Sequence, residues 1–182
     1  PKVNFTKEIS VDGNYNVPKS LKLFVMPHIS LLPDNICEIV HFSMNAIMNN
    51  IKDHSKATKF YFKLFLSHND LNIVISDNGI GIFQKIFSDL TLNSPRIAAI
   101  ELAKGGLTTD PNYHSGDELN TILHLFDKVK IESTEISLNY DNIVKEWNLG
   151  SSTQANGTRI HLKISPYSKR TCLNTFKNLF YL

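Results

Sequence analysis

The sequence predicts an α+β fold, a two-layer sandwich with helices on one face of a mainly antiparallel sheet. Three observations carry that expectation. Thr58 to Leu66 and Leu71 to Ser76 are rich in β-branched and aromatic residues, and only a short His68-Asn69-Asp70 turn separates them, as in an antiparallel hairpin. Further strand-like runs near 128–133, 135–140 and 143–148 follow each other closely, and another runs from Thr158 to Ile164. Helical patterns gather between these strand groups.

In chain order, residues 1–34 are mixed, with short strand-like pieces, Pro27 and Pro33, and no strong period. They read as an N-terminal extension. The first clear helix starts at Asn35, which caps it, and Glu38 completes a capping box. It runs to about Asp53. At about 100° per residue, Ile36, Val40, Met44, Ile47 and Ile51 form a stripe that faces the core. Glu38, His41, Asn45, Asn49 and Lys52 lie opposite. Between the two, Ala46, Asn50 and Asp53 share one narrow face, where a binding face would sit. After the hairpin, a helical piece covers 83–90. Ser94-Pro95 supplies an N-cap followed by proline at the first helical position. The helix from Pro95 to Lys104 stops at Gly105-Gly106. Small and polar residues make a loop over 105–115, and a helix from about Gly116 to Phe126 leads into the later strands. A polar stretch over 150–157 precedes the strand at Thr158, and an amphipathic helix covers roughly Thr171 to Tyr181.

The bulk properties narrow the function classes. The chain has 182 residues, 42% hydrophobic and 20% charged, as expected of a soluble domain with a substantial core. A net charge of +2 from 19 basic and 17 acidic residues argues against nucleic acid or an anionic membrane as the main partner. No apolar run approaches the roughly 20 residues of a membrane span. The chain opens on Pro1, as an excised fragment would, and no secretory signal pattern is visible. Cys37 and Cys172 lack framework spacing and read as reduced thiols of a cytoplasmic protein. Neither the cysteines nor the 7 histidines form a metal-ligand pattern.

The chemistry concentrates in two motifs. Leu71-Asn72-Ile73-Val74-Ile75-Ser76 ends in Asp77-Asn78-Gly79-Ile80-Gly81-Ile82, a strand that stops at a carboxylate and passes into a glycine-bearing loop. Glycines at such a place let backbone approach a flat ligand where a Cβ would collide. Upstream lies Asn49-Asn50-Ile51-Lys52-Asp53-His54-Ser55. Taken singly, each has a plain reading: polar surface on a helix, an Asp-Gly turn, a structural His54. Their joint occurrence in order, with Asp110-Pro111-Asn112-Tyr113-His114-Ser115-Gly116 and Gly157-Thr158 downstream, is what carries weight.

Together these residues resemble the GHKL superfamily of ATP-binding folds, which includes gyrase, mismatch-repair ATPases, histidine kinases and anti-sigma-factor kinases. The chain is most similar to a bacterial branch with Asn-Asn-x-x-x-His-Ser, Asp-Asn-Gly-Ile-Gly-Ile-Phe and Asp-Pro-x-x-His-Ser-Gly motifs. The resemblance covers about residues 30 to 165 and implies a Bergerat-type ATP-binding domain over 35–165, followed by a C-terminal helix over 166–182. It implies ATP and Mg²⁺ as ligands. Asn50 matches the residue whose side-chain oxygen coordinates Mg²⁺, a role suited to an ion that keeps waters and phosphate oxygens. Asp77 matches the acceptor for the adenine amino group, and Thr158 the threonine that supports the base. Gly79, Gly81 and Ile82 belong to the adenine pocket. Asp53 is carried with Asn50 on the motif's helix. His114, Ser115 and Gly116 fall where a lid and a helix N-terminus meet the phosphates.

Three positions depart from the pattern, the least of them Ile51, where alanine is usual, which bears on helix packing. Hydrolytic members place a general-base Glu four residues before the Mg²⁺ asparagine. Here that position is Ala46, so the chain is expected to bind Mg²⁺-ATP better than it cleaves it. Ala46 is either an engineered replacement or a natural inactivation. The second departure is Glu118, where the branch has glycine; a carboxylate there repels a triphosphate unless it points outward or meets the metal.

The resemblance thus implies an ATPase or phosphotransferase fold in which ATP-dependent closure regulates a partner or adjoining domain. A homodimer is compatible with it. Two other readings stay open: an interaction module that kept the fold without its nucleotide, and an anti-sigma-type Ser/Thr kinase.

Overall fold

The computed structural model describes residues 4–105 and 115–180, with side chains for all of these except 115–117 and 180. The expected α+β architecture is found. Seven strands form one sheet: β1 (Asn4–Ser10), β2 (Lys59–Ser67), β3 (Asp70–Asp77), β4 (Lys128–Ser133), β5 (Ile136–Asp141), β6 (Glu146–Ser151) and β7 (Thr158–Ile164). Their order is β1-β2-β3-β7-β4-β5-β6, and every pairing is antiparallel. Period-two alternation fixes which face each strand buries. Phe60, Phe62 and Leu64 of β2 point inward with Leu71, Ile73 and Ile75 of β3 and Ile160, Leu162 and Ile164 of β7. The register places Ile160 opposite both Ile75 and Ile131, so the core is continuous across the middle of the sheet. On the other face the same rows present Lys63, Val74, His161, Lys130 and Asn139.

Helices cover the apolar face. They are α1 (Val17–Ser20), a π turn (Leu21–Val25), α2 (Met26–Ile29), α3 (Asp34–His54), α4 (Ile82–Asp89), α5 (Pro95–Lys104), α6 (Ser115–Leu125) and α7 (Cys172–Phe180). The expected α3 stripe is buried: Ile36, Val40 and Met44 completely, Ile47 and Ile51 nearly so. Helix α5 begins and ends as its sequence requires. Ser94 accepts from the Ile97 N–H, Pro95 follows, and Gly105 closes the helix in the left-handed region with φ of 76°. Among the described residues no helix is long and apolar enough to cross a membrane.

Two expectations are corrected. Residues 4–29 are not a patternless lead-in: β1 pairs with β2, and Val17, Leu21, Val25 and Ile29 are all buried. A strict four-residue repeat drifts around a regular α-helix. The π turn widens the coil at that point and keeps the repeat on one side, and Pro27, with no N–H to give, follows it. The second correction concerns the start of α3. The helix opens at Asp34, with Pro33 at the cap position and no side-chain cap. The Pro33 carbonyl accepts from the N–H groups of Ile36 and Cys37. Asn35 therefore lies inside the first turn, where its side chain reaches another segment. Its Nδ2 donates to the carbonyls of Ser168 and Arg170 at 2.8 and 2.9 Å.

Candidate functional site

A cleft opens between α3 and α4 over the ends of β3 and β7. Its space is about 880 Å³ with the open solvent at its mouth included. The walls are mostly aliphatic: Ile47 and Ile51 from α3, Ile82 and Ile86 from α4, Ile75 and Ile160 from the sheet. Polar groups are few and local, as binding sites require.

The deep end is built around Asp77, the last residue of β3 and only 7% exposed. Its Oδ1 accepts from the Gly79 N–H at 2.7 Å. Burial pushes the Asp77 carboxyl above its ordinary value, while the N–H groups of Gly79 and Thr158 pull it back. Thr158 opens β7, and its Oγ1 accepts from the Ile82 N–H at 2.9 Å. A hydroxyl carries one proton as well as lone pairs, so Thr158 still has a donor to offer beside the Asp77 acceptor.

The loop holding these groups is over-determined. Asn78 accepts from the N–H groups of Thr58 and Lys59 and donates to Thr58 Oγ1, which ties the loop to the start of β2. Ile80 N–H donates to the Ser55 carbonyl just past α3. The glycines are required by the chain itself. A Cβ at Gly79 would lie 2.2 Å from the Ser55 carbonyl oxygen, and one at Gly157, where φ is +70°, would lie 2.0 Å from the Asp77 carbonyl oxygen. The sequence expects Gly79 and Gly81 to make room for a ligand; in the structure a Cβ at Gly79 would meet the Ser55 carbonyl and one at Gly81 would meet Ser133 Oγ at 2.5 Å, so the chain itself already requires both.

The α3 wall carries Asn50, His54 and, just beyond the helix, Ser55. Among the described residues Asn50 Nδ2 is buried and has no hydrogen-bond partner, and Ser43 Oγ, seven residues earlier and on nearly the same helical face, is buried and unpartnered too. His54 lines the cleft and has a partner within the chain. The narrow face expected for Ala46, Asn50 and Asp53 does not hold together. Ala46 is 1% exposed, Asn50 is half-buried at the cleft, and Asp53 is exposed. The helix sinks into the core in its middle and emerges at its end, so depth changes along a single face. Neither Ala46, Asp53 nor Gly79 lines the cleft, whereas Asn50, Asp77, Gly81, Ile82 and Thr158 do.

On the lid side, His114 lies outside the described residues. Ser115 and Gly116 begin α6, with their side chains outside the description. Glu118 is half-buried on α6 and has a partner within the chain, so it is not a bare carboxylate. Leu119 of α6 lines the cleft. Sequence reasoning passed over Lys85 and Asp89, an ion pair on the cleft wall of α4. The available signal was their four-residue spacing beside Ile82, Ile86 and Leu90.

Among the described residues no group of three or more His, Cys, Asp and Glu is placed to hold a metal. Comparison with models of known families gives no match, and no curated protein matches the chain significantly.

Proposed function

We propose that this chain is an ATP-binding domain of the GHKL type that holds Mg²⁺-ATP in the cleft between α3 and α4 and, through its occupancy, regulates a partner protein or adjoining domain. The observation that carries the reading is Asp77: a carboxylate 7% exposed, at the bottom of an aliphatic cleft, with the Thr158 hydroxyl beside it. A flat base with an exocyclic amino group suits that pair, because the carboxylate accepts and the hydroxyl donates. The aliphatic walls suit the ring faces.

The residues present fit the metal as well. Asn50 Nδ2 is a buried donor without a partner among the described residues, which suits a phosphate oxygen, and its Oδ1 suits a hard cation. Mg²⁺ completes its shell with water and phosphate oxygens, and when bound it neutralises triphosphate charge. Asn50 holds and orients; it takes no proton. With Ala46 at the general-base position, no carboxylate is supplied there to activate an attacking water or hydroxyl. Binding without efficient turnover is the expected behaviour.

Calorimetry with Mg²⁺-ATP or a non-hydrolysable analogue tests this. Binding at micromolar to sub-millimolar affinity is expected, and its loss in Asp77→Asn. No heat at millimolar nucleotide contradicts it. A melting temperature indifferent to Mg²⁺-ATP would instead favour an interaction module that kept the fold without the ligand.

A further inference from the structure

Helix α4 puts its charges on an unexpected side. With Ile82 taken as zero, Lys85, Asp89, Ile86 and Leu90 fall within an arc of about 140° that contains Ile82. All five line the cleft. Phe83 and Phe87 turn to the protein interior, and Gln84 and Ser88, joined by a side-chain hydrogen bond, take the opposite polar side. The only charged residues of α4 thus stand on the cleft wall, paired with each other through Lys85 Nζ and Asp89 Oδ2. Their side chains are 27% and 21% exposed. Ion pairs placed in largely apolar surroundings lose hydration and return little net stability, so stability alone gives this pair no reason to face the cleft.

Their distance along the helix is informative. Ile82 N–H binds Thr158, so the start of α4 marks the deep, base-holding end. Lys85 lies about 4.5 Å and Asp89 about 10 Å further along the axis. That is the reach of a nucleoside from its base edge to its sugar hydroxyls. A carboxylate has about four acceptor sites and a ribose presents two adjacent O–H donors. The lysine orients the carboxylate through their ion pair.

We propose that Asp89 is the sugar-recognising residue of this cleft and Lys85 its positioning residue, so that the site selects ribonucleotides over 2′-deoxyribonucleotides. The inference rests on the nucleotide reading given above. Hydrogen bonds to a charged group are worth about tenfold or more in affinity. Calorimetric titration of the wild-type protein with Mg²⁺-ATP and Mg²⁺-2′-deoxyATP is expected to give at least about a tenfold preference for ATP. Asp89→Asn is expected to collapse that preference to less than about threefold, by weakening ATP more than 2′-deoxyATP. Lys85→Met should lose part of the preference and Lys85→Arg keep it. Wild-type protein that binds both nucleotides equally, or an Asp89→Asn protein that keeps the full preference, overturns this inference and leaves the nucleotide reading standing. Wild-type protein that binds neither overturns both.

Discussion

The deep end of the cleft and the middle of α3 are built to opposite standards. Around Asp77, strand end, loop and β7 hold one another with short hydrogen bonds, and two glycines stand where any side chain would collide with backbone. Around Ala46, two buried polar atoms on nearly the same helical face, Ser43 Oγ and Asn50 Nδ2, have no partner among the described residues, and the residue between them offers only a methyl group. On the nucleotide reading proposed above, the first arrangement would hold the ligand and the second lacks the carboxylate that would act on it. On that reading, holding and cleaving reside in different elements.

The largest expected effect tests the weaker region. Side chains on a helix lean toward its N-terminus, so a glutamate at 46 would extend toward Ser43 while Asn50 leans toward it. Ala46→Glu is expected to raise phosphate release by about 10² to 10⁴ over the present chain, the usual contribution of a positioned general base. Turnover that stays at background with ATP bound means the missing carboxylate is not what limits hydrolysis. Next in size is a blow to the stronger region. Gly157→Ala adds a Cβ 2.0 Å from the Asp77 carbonyl oxygen at positive φ. It should cost about 2 kcal/mol in chemical denaturation and weaken nucleotide binding with it. An alanine tolerated without loss of stability would show that the loop is looser than its contacts suggest.

The smallest effect is a pH dependence. Burial raises the Asp77 carboxyl in the folded protein. A raised carboxyl contributes stability that is fully present below the unfolded value of about 3.9 and is lost as pH rises through the folded value. The melting temperature of Asp77→Asn minus that of the wild type, without ligand, should therefore increase from acid to neutral pH. A difference that stays flat would place the Asp77 charge in a better-solvated setting than its burial implies.

Local chemistry was the legible part of this molecule. Strand β7 runs from Thr158 to Ile164 as its alternation says, and α5 keeps its serine cap, its proline and its terminal glycine. These signals are complete within a few residues. What escaped was decided across the fold. The helical segment over 17–29 looks patternless because a π turn changes the period midway. Asn35 reads as a cap until its partners, more than 130 residues away, are known. Asn50, Asp77 and Thr158 line one cleft, but the split of Ala46 and Asp53 into core and surface depends on how deep each turn of α3 is packed. Lys85 and Asp89 look like an ordinary surface pair until α4 is laid against the cleft.

The hydrogen bonds from Asn35 give α3 a second attachment. At 21 residues it is a strut about 30 Å long. One end carries Asn50 and the carbonyl that anchors the Asp77 loop, and the other grips the backbone of Ser168 and Arg170. A rigid strut cannot move at one end alone. Any binder that shifts α3 by engaging residues near 166–172 must alter affinity in the cleft, and by reciprocity a cleft ligand must alter that binder's affinity by the same factor.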